Sequence, residues 1–258
     1  MASQALNLTD YWLINLRRTW RGSVVSALFT PFLYVLSMGV LLGGFIPGDP
    51  TTLEGATSYL AFVAPGLLAG QVMQVAFGDA TYPVLGMLKW DKVYYAQSAT
   101  SLRVTDLIAA HLCVIAIRLT FVAVVFGGIL ACFGVFDSIP GTVLAIALQP
   151  LIGMAFATPL FAYSAGIDDP VSFSVLFRLG VTPLFLFSGA FFPIANLPDG
   201  IEWLARITPL WQGVDLTRML TVGEVDLPMA AVHLGYLTAM VVVGYLWAVR
   251  RLGHRLEQ

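Results

Sequence analysis

The sequence predicts an all-α integral membrane protein with six membrane-spanning helices. Of its 258 residues, 58% are hydrophobic and only 11% are charged, whereas about 25% of the residues in an ordinary soluble domain are charged. The mean hydropathy is +0.83. Six long stretches contain at most one charged residue each, and about 20 apolar residues suffice for a helix to cross a bilayer. Lipid is therefore the predicted solvent for most of the surface.

The first predicted element is an amphipathic helix over residues 6–21 that lies in the membrane interface. Leu8, Trp12, Leu16 and Trp20 recur every fourth residue, while arginines occupy other faces. This pattern places the tryptophans at headgroup depth and the arginines near lipid phosphates. Membrane lipid is therefore a predicted partner of the chain.

The six spans are predicted over residues 23–46, 58–80, 107–134, 140–165, 173–194 and 228–249. Pro65 and Pro83 are predicted to bend or end the second span, because proline interrupts a helix. Gly66 and Gly70 in that span form a small-residue pattern that allows close contact with another helix. No internal repeat or linker divides the chain, so residues 1–258 are predicted to form one membrane domain.

The distribution of basic residues predicts that both termini lie in the cytosol. With this orientation only Arg206 and Arg218 are clearly outside, as the positive-inside rule requires. The predicted cytosolic basic residues are Arg17, Arg18, Arg21, Lys89, Lys92, Arg103, Arg250, Arg251 and Arg255. Segment 82–104 is then cytosolic and segment 195–222 lies outside.

The outer segment 195–222 is predicted to form a re-entrant helical hairpin. It is rather apolar, and prolines divide it into short pieces. Asp199 followed by Glu202 predicts a capping box that opens a short helix through Ile207, and a second short helix is predicted over 210–220. Such backbone is tolerated at membrane depth only where protein or water covers it.

The cytosolic segment 82–104 carries a group of charged and aromatic side chains between two apolar runs. Met87, Trp90 and Tyr94 are spaced to share one helical face, with charged residues elsewhere. Such a helix either packs its aromatic face against the membrane domain or offers it to a groove on a soluble partner. A solvated loop with an aromatic anchor is the alternative. The candidate contact residues are Lys89, Trp90, Asp91, Lys92, Tyr94 and Tyr95.

No motif in the sequence predicts catalysis or nucleotide binding by this chain. A Gly-x-x-x-x-Gly-Lys-Ser/Thr phosphate loop is absent, no His, Cys and carboxylate residues cluster at metal-ligand spacing, and Ser188 lacks the glycine frame of a nucleophile elbow. The net charge of −2 shows no nucleic-acid footprint. We therefore predict that the chain is not an enzyme and holds no metal.

Arg118 is the one basic residue well inside a predicted span. An intramembrane charge is a functional candidate, and a structural pair with Asp79 is the other interpretation. An ion-coupled secondary transporter of a small amphiphile is an alternative function for such a membrane protein. It would need a coupling carboxylate within a span, whereas the carboxylates here lie at span ends.

Two stretches resemble the permease subunits of ABC-2 type exporters. The first is Tyr-Leu-Ala-Phe-Val-Ala-Pro-Gly at 59–66, and the second is Phe-Ser-Gly-Ala-Phe-Phe-Pro at 187–193. The second stretch is followed by Leu197-Pro198, Pro209-Leu210, Asp215 and Arg218. The most similar subgroup contains the nodulation-factor exporter permease and the daunorubicin-type drug efflux permeases. The resemblance covers most of the chain.

The resemblance implies the fold of a type V ABC exporter, with an interface helix, six spans, a cytosolic coupling helix and outer re-entrant helices. It implies two ABC ATPase subunits on separate chains, which would bind ATP and Mg²⁺, so that this chain needs no cofactor. It also implies a second permease, identical or homologous, in the inner membrane of a bacterium. The implied activity is export of an amphiphilic cargo such as a drug, a lipid or a lipo-oligosaccharide.

By position, the resemblance places residues 90–95 in the coupling helix and makes loop 166–172 a second, smaller ATPase contact. Asp168 and Asp169 leave this loop without basic residues, which departs from the family's pattern. The first, second and fifth spans would line the cargo path. Aromatic and methionine side chains suit amphiphilic cargo, although core or lipid-facing packing also explains them. The candidates are Tyr34, Met38, Phe62, Gln71, Met73 and Phe187.

Overall fold

The structure is a computed structural model that describes residues 29, 32–37 and 53–257. The predicted interface helix 6–21, most of the predicted first span and Met38 lie outside the described residues. Residues 32–37 are helical. Tyr34 lies in this short piece and is partly buried.

Every regular element in residues 53–257 is helical, which confirms the predicted all-α class. Within the described chain, four stretches are long and apolar enough to cross a membrane, namely α1 together with α2, α4, α5 and α9. The helices are α1 (Tyr59–Ala80), α2 (Tyr82–Lys89), α3 (Val93–Ser98), α4 (Val104–Cys132), α5 (Ile139–Ala165), α6 (Val171–Leu186), α7 (Asp199–Ile207), α8 (Pro209–Val222) and α9 (Leu227–Leu256).

The predicted second span is interrupted at Thr81. Helix α1 begins where the Ser58 hydroxyl accepts a hydrogen bond from the N–H of Ala61 at 3.1 Å, and Pro65 lies inside it without ending it. Thr81 leaves the helical region with φ −106° and ψ −93°, and α2 follows with Pro83 in its first turn. A proline is well suited to the start of a helix because its missing N–H would have no partner there. The predicted helix end near Pro83 is confirmed.

Helix α5 is the centre of the described bundle, and α1, α4, α8 and α9 pack around it. Glycines allow the close approach. A Cβ on Gly153 of α5 would lie 2.6 Å from Leu119 of α4, and a Cβ on Gly213 of α8 would lie 2.7 Å from Ile152 of α5. Gly244 of α9 approaches α5 in the same way. Small residues favour helix association in lipid, where apolar surface alone gives little driving force.

Gly66 and Gly70 form a close contact with α6 and the turn after it. A Cβ on Gly66 would lie 2.5 Å from Ala190, and a Cβ on Gly70 would lie 2.1 Å from the Phe185 ring. The small-residue pattern in α1 therefore marks a helix contact, as its spacing predicts.

Helix α6 differs from the fifth span predicted over 173–194. It contains a π-helical turn at Phe177–Val181, and its three helical pieces have 6, 5 and 5 residues. At 1.5 Å per residue it is about 24 Å long, which is less than the bilayer core of about 30 Å. The helix ends at Leu186, well before residue 194. Gly189 adopts φ +76° in the following turn, and a glycine in that conformation stops a helix readily.

Segment 195–222, predicted to form the outer hairpin, contains two short helices close to the predicted bounds. Helix α7 covers the predicted residues, and α8 is slightly longer than predicted. The predicted capping box is wrong, since no side chain caps α7. Instead the carbonyl of Pro198 accepts the N–H groups of Ile201 at 2.8 Å and Glu202 at 3.0 Å, and Glu202 pairs with Arg206 one turn later. Helix α8 is largely buried against α1 and α5.

Candidate functional site

Two polar regions lie at opposite ends of the described bundle, since the first turn of α5 has Gly141 beside Leu220 of α8 and α5 is followed at its other end by Gly166 beside Arg251 of α9. The first consists of α2, α3, loop 166–170 and the last turns of α9, and we call it the Trp90 end. The second consists of residues 53–58, the turn 187–193, α7 and α8, and we call it the Arg218 end. The predicted coupling residues belong to the Trp90 end.

The predicted coupling helix is two short helices with a break at Trp90. The N–H groups of Trp90 and Asp91 both donate to the carbonyl of Gly86 at 2.9 Å. Lys92 then adopts a left-handed conformation with φ +51°, and α3 begins at Val93. A non-glycine residue in this region is uncommon. The helix therefore does not continue through Trp90. Helix α2 ends at Lys89, and α3 begins at Val93 with its own orientation.

The break places Trp90 and Tyr94 in different environments. Trp90 is 58% exposed, whereas Tyr94 is 0% exposed and lies in the core. The prediction that both share one helical face is wrong, because the face repeats only while a helix continues without interruption. Trp90 is thus available to a partner, and Tyr94 is not.

Tyr94 anchors α3 to the membrane domain. Its hydroxyl lies 2.5 Å from Nδ1 of His111 in α4, and its ring meets Phe161 of α5 edge-on with centroids 6.3 Å apart. Burial raises the pKa of Tyr94 well above its usual value of 10.0, so the hydroxyl stays protonated at neutral pH and shares a hydrogen bond with the imidazole of His111. This short helix therefore cannot move without disturbing α4 and α5.

The remaining predicted coupling residues lie on the surface of the Trp90 end. Lys89 donates to the carbonyl of Asp168 at 2.9 Å, and the Tyr95 hydroxyl donates to the carbonyl of Arg255 at 3.4 Å. Asp91 and Lys92 are exposed. Two of the predicted residues thus connect α2 and α3 to loop 166–170 and to α9.

The predicted cargo-path residues do not form one open surface within the described chain. Phe62 and Met73 are fully buried, and Gln71 is partly buried. Phe187 is 42% exposed and follows the end of α6. The role of these residues, with Tyr34 and Met38, stays a prediction.

Arg118 forms a salt bridge with Asp79, and their nitrogen and oxygen atoms are 2.5 Å apart. The pair joins α4 to α1 near the Trp90 end. Pairing is the usual way in which a charge is tolerated at membrane depth. The geometry favours the structural interpretation of Arg118, and a part for it in transport stays a prediction.

Arg218 organises the Arg218 end, and the sequence alone did not identify this role. Its side chain is 4% exposed. It pairs with Glu54 at 2.5 Å, donates to the carbonyl of Gly189 at 2.6 Å, and lies 4.1 Å from the centre of the Phe62 ring. One side chain therefore joins α8, the loop before α1, α1 itself and the turn after α6. The signal in the sequence was an arginine in the mostly apolar segment 195–222.

A second buried contact lies beside Arg218. His233 of α9 binds Gln212 through Nδ1 and Asp215 through Nε2, the latter at 2.9 Å. A cavity of about 190 Å³ is lined by Glu54, Asp215 and Arg218, with three neighbours from residues 219–224. Within residues 53–257 and the short described piece before them, no group of three or more His, Cys, Asp or Glu side chains is arranged to hold a metal ion.

A bundle of apolar, membrane-length helices with a polar region at each end defines a multi-pass integral membrane protein. The family model for ABC-2 type transporters matches residues 3–221, and the chain belongs to this family. Members of the family are the membrane subunits of ABC transporters, and ATP hydrolysis takes place on a separate subunit.

Similar proteins match along nearly their full length. "Nodulation protein J" of Rhizobium leguminosarum bv. trifolii is 26% identical over 98% of this chain and 95% of the relative. The protein of the same name from Bradyrhizobium diazoefficiens is 27% identical over 99% of this chain and 96% of the relative. The "Inner membrane transport permease YadH" of Escherichia coli K12 is 25% identical, covering 93% and 91% of the two chains. The family resemblance seen in the sequence is thereby confirmed.

Proposed function

We propose that this chain is the permease of an ABC exporter that moves an amphiphilic cargo, such as a drug, a lipid or a lipo-oligosaccharide, out of the cytosol or the inner leaflet. Two ATPase subunits power it from the cytosol, and a second permease, identical or homologous, completes the path. Membership of the ABC-2 type transporter family supports the permease role. An inner-membrane permease among its relatives supports the location.

The observation that carries the proposal is the exposed Trp90 on a segment anchored in the core. Trp90 is available to a soluble partner, while Tyr94 four residues later is held by His111 of α4. Closure of the ATPases would push on Trp90, and the anchored segment would transmit the displacement to α4 and α5. A flexible loop would absorb such a push instead of transmitting it.

Copurification tests the partnership. The tagged permease should bring down an ATPase whose peptides contain a Gly-x-x-x-x-Gly-Lys-Ser/Thr loop. Transport by the isolated chain without such a subunit would contradict the proposal and favour an ion-coupled secondary transporter.

Replacement of Trp90 by alanine tests the contact itself. We expect Trp90→Ala to weaken ATPase binding about tenfold, because exposed tryptophans often dominate interface energies. Trp203→Ala is the matched control, since Trp203 is also exposed but lies in α7 at the other end. Unchanged ATPase binding and full transport by Trp90→Ala would reject Trp90 as the contact.

The cargo path is tested with photoactivatable lipid. Single cysteines replace Phe187, Gln71 and Tyr34 in a chain whose native Cys113 and Cys132 are replaced by serine. Labelling of each cysteine by the photoactivatable lipid is then measured. Labelling that cargo reduces at these positions would support the path, and labelling that is negative at all of them would count against it.

A further inference from the structure

Three separate segments of the chain meet at Asp168. Its main-chain carbonyl accepts a hydrogen bond from Lys89 of α2 at 2.9 Å. Its carboxylate binds the guanidinium of Arg255 in the last turn of α9. The carbonyl of Arg255 in turn accepts the Tyr95 hydroxyl of α3. These contacts connect the predicted coupling segment, loop 166–170 and the end of α9 in a closed ring.

Helix α9 holds the same loop at a second point. Arg251 lies one turn before Arg255, so both side chains project from the same face of α9. The Arg251 guanidinium packs against Gly166, where an added Cβ would lie 3.2 Å from its central carbon. Two arginines, Arg251 and Arg255, therefore clamp residues 166–168 from one side.

The two acidic residues of the loop, Asp168 and Asp169, both bind other parts of this chain. Asp168 binds Arg255, and Asp169 accepts the N–H of Val171 at 2.9 Å at the start of α6. Both carboxylates thus have partners in this chain. Loop 166–170 therefore joins α2 to α9. A partner that binds the loop would also meet the end of α9.

We propose that the last turns of α9 form a third part of the ATPase-binding surface, and that Asp168 holds them in position beside Trp90. The proposal rests on the proposed function, because the occupant is the ATPase that contacts Trp90. A partner seated on Trp90 and on loop 166–170 meets the end of α9, since Arg255 binds both Asp168 and Tyr95. Arg250 and Glu257 are exposed there.

This arrangement gives the ATPase direct access to a long helix. Helix α9 runs without interruption for 30 residues from Leu227 to Leu256 and packs along α5. A displacement of its end therefore reaches His233 at the Arg218 end. The coupling segment itself contacts α1, α4 and α5 as well as the end of α9.

Site-specific photocross-linking in the intact permease–ATPase complex tests the surface. A benzoylphenylalanine is placed at Trp90, at Glu257 or at Leu227, which is exposed at the opposite end of the same helix. We expect products with the ATPase from Trp90 and Glu257 but not from Leu227, identified by peptides of its phosphate-binding loop.

The outcomes separate the two proposals. Cross-links from Trp90 without any from Glu257 would overturn the third contact and leave the proposed function standing. Absence of cross-links from both positions would overturn the proposed function as well. A product from Leu227 as abundant as that from Glu257 would also overturn the third contact, because labelling would then be unspecific.

The positioning role of Asp168 has its own matched pair of variants. Asp168→Asn removes the charge that binds Arg255, whereas Asp169→Asn removes a charge next to it and keeps an acceptor for Val171. The Asp168–Arg255 pair is on the surface, with the Asp168 side chain 74% exposed, so the fold should survive. We expect Asp168→Asn to lower the Glu257 cross-link about two- to fivefold and Asp169→Asn to leave it unchanged.

A charge swap distinguishes positioning from loss of a contact. Asp168→Arg combined with Arg255→Asp should restore most of the Glu257 cross-link that either single change removes. Equal effects of Asp168→Asn and Asp169→Asn, or a swap that restores nothing, would overturn the positioning role.

Discussion

Tyr94 and Arg218 are single residues that attach the two polar ends to the apolar bundle. Each side chain is buried, and each makes hydrogen bonds to segments distant in sequence. A buried polar group costs free energy when it loses its partner, so such residues hold their neighbours in one arrangement. An end attached in this way can be exposed without being flexible.

The hydroxyl of Tyr94 should contribute measurably to stability. Tyr94→Phe keeps the ring against Phe161 but removes the hydroxyl that is hydrogen-bonded to Nδ1 of His111. We expect a loss of about 1–3 kcal/mol in the free energy of unfolding, measured in mixed micelles. Tyr95→Phe is the control and should change it by less than about 0.5 kcal/mol, because its bond to Arg255 is long and exposed. Equal effects of the two changes would contradict the anchoring role of Tyr94.

Arg218 should not be replaceable by lysine. Lysine keeps the charge, but it offers one nitrogen where the planar guanidinium uses two, Nη1 toward Glu54 and Nη2 toward the carbonyl of Gly189. We expect Arg218→Lys to cost about 1–3 kcal/mol of unfolding free energy. Arg206→Lys, which alters the exposed pair with Glu202, should cost about 0.5 kcal/mol or less. A tolerated Arg218→Lys would show that the forked contact contributes little.

At the scale of elements, α1 and α6 are fitted to each other through glycine. Helix α6 is short and contains a π-helical turn. Its position is therefore set mainly by its contact with α1. The bulky Phe185 fills the space that Gly70 leaves. Packing of this kind tolerates little added volume.

Two glycines of α1 should respond to alanine in opposite ways. At Gly70 the new Cβ would lie 2.1 Å from the Phe185 ring, whereas at Gly78 nothing lies within 4 Å. We expect Gly70→Ala to cost about 1–3 kcal/mol through overpacking and Gly78→Ala to stabilise by about 0.5–1 kcal/mol through helix propensity. Unfolding in mixed micelles measures both. A neutral Gly70→Ala would imply that α6 shifts freely against α1.

Local signals predicted α7 and α8 well, because prolines at 198 and 209 set where each helix begins. The same reasoning failed at Trp90 and Tyr94, since the left-handed Lys92 has no signature in the sequence and it resets the helical face. The Arg218 contacts were out of reach for another reason. Glu54 is 164 positions away from Arg218 in sequence and Gly189 is 29 positions away, and no periodicity relates residues so far apart.

At the scale of the whole molecule, composition predicted the class and the basic residues predicted an orientation. The described part of the chain places its two polar regions at opposite ends of the bundle, as a permease driven from one side requires. Segment 82–103 and the last turns of α9 lie at or beside the Trp90 end and contain six of the ten lysines and arginines of the described chain, namely Lys89, Lys92, Arg103, Arg250, Arg251 and Arg255. The positive-inside rule therefore predicts that the Trp90 end faces the cytosol.

Labelling of single cysteines tests this orientation. Asp91→Cys and Gly200→Cys are made in a chain with serine at positions 113 and 132, which hold the only two native cysteines. Both substituted positions are exposed and lie at opposite ends. A membrane-impermeant maleimide added to intact cells should label Gly200→Cys at once and Asp91→Cys only after permeabilisation, because basic segments stay in the cytosol. The reverse order would place Trp90 outside, where no ATPase could reach it.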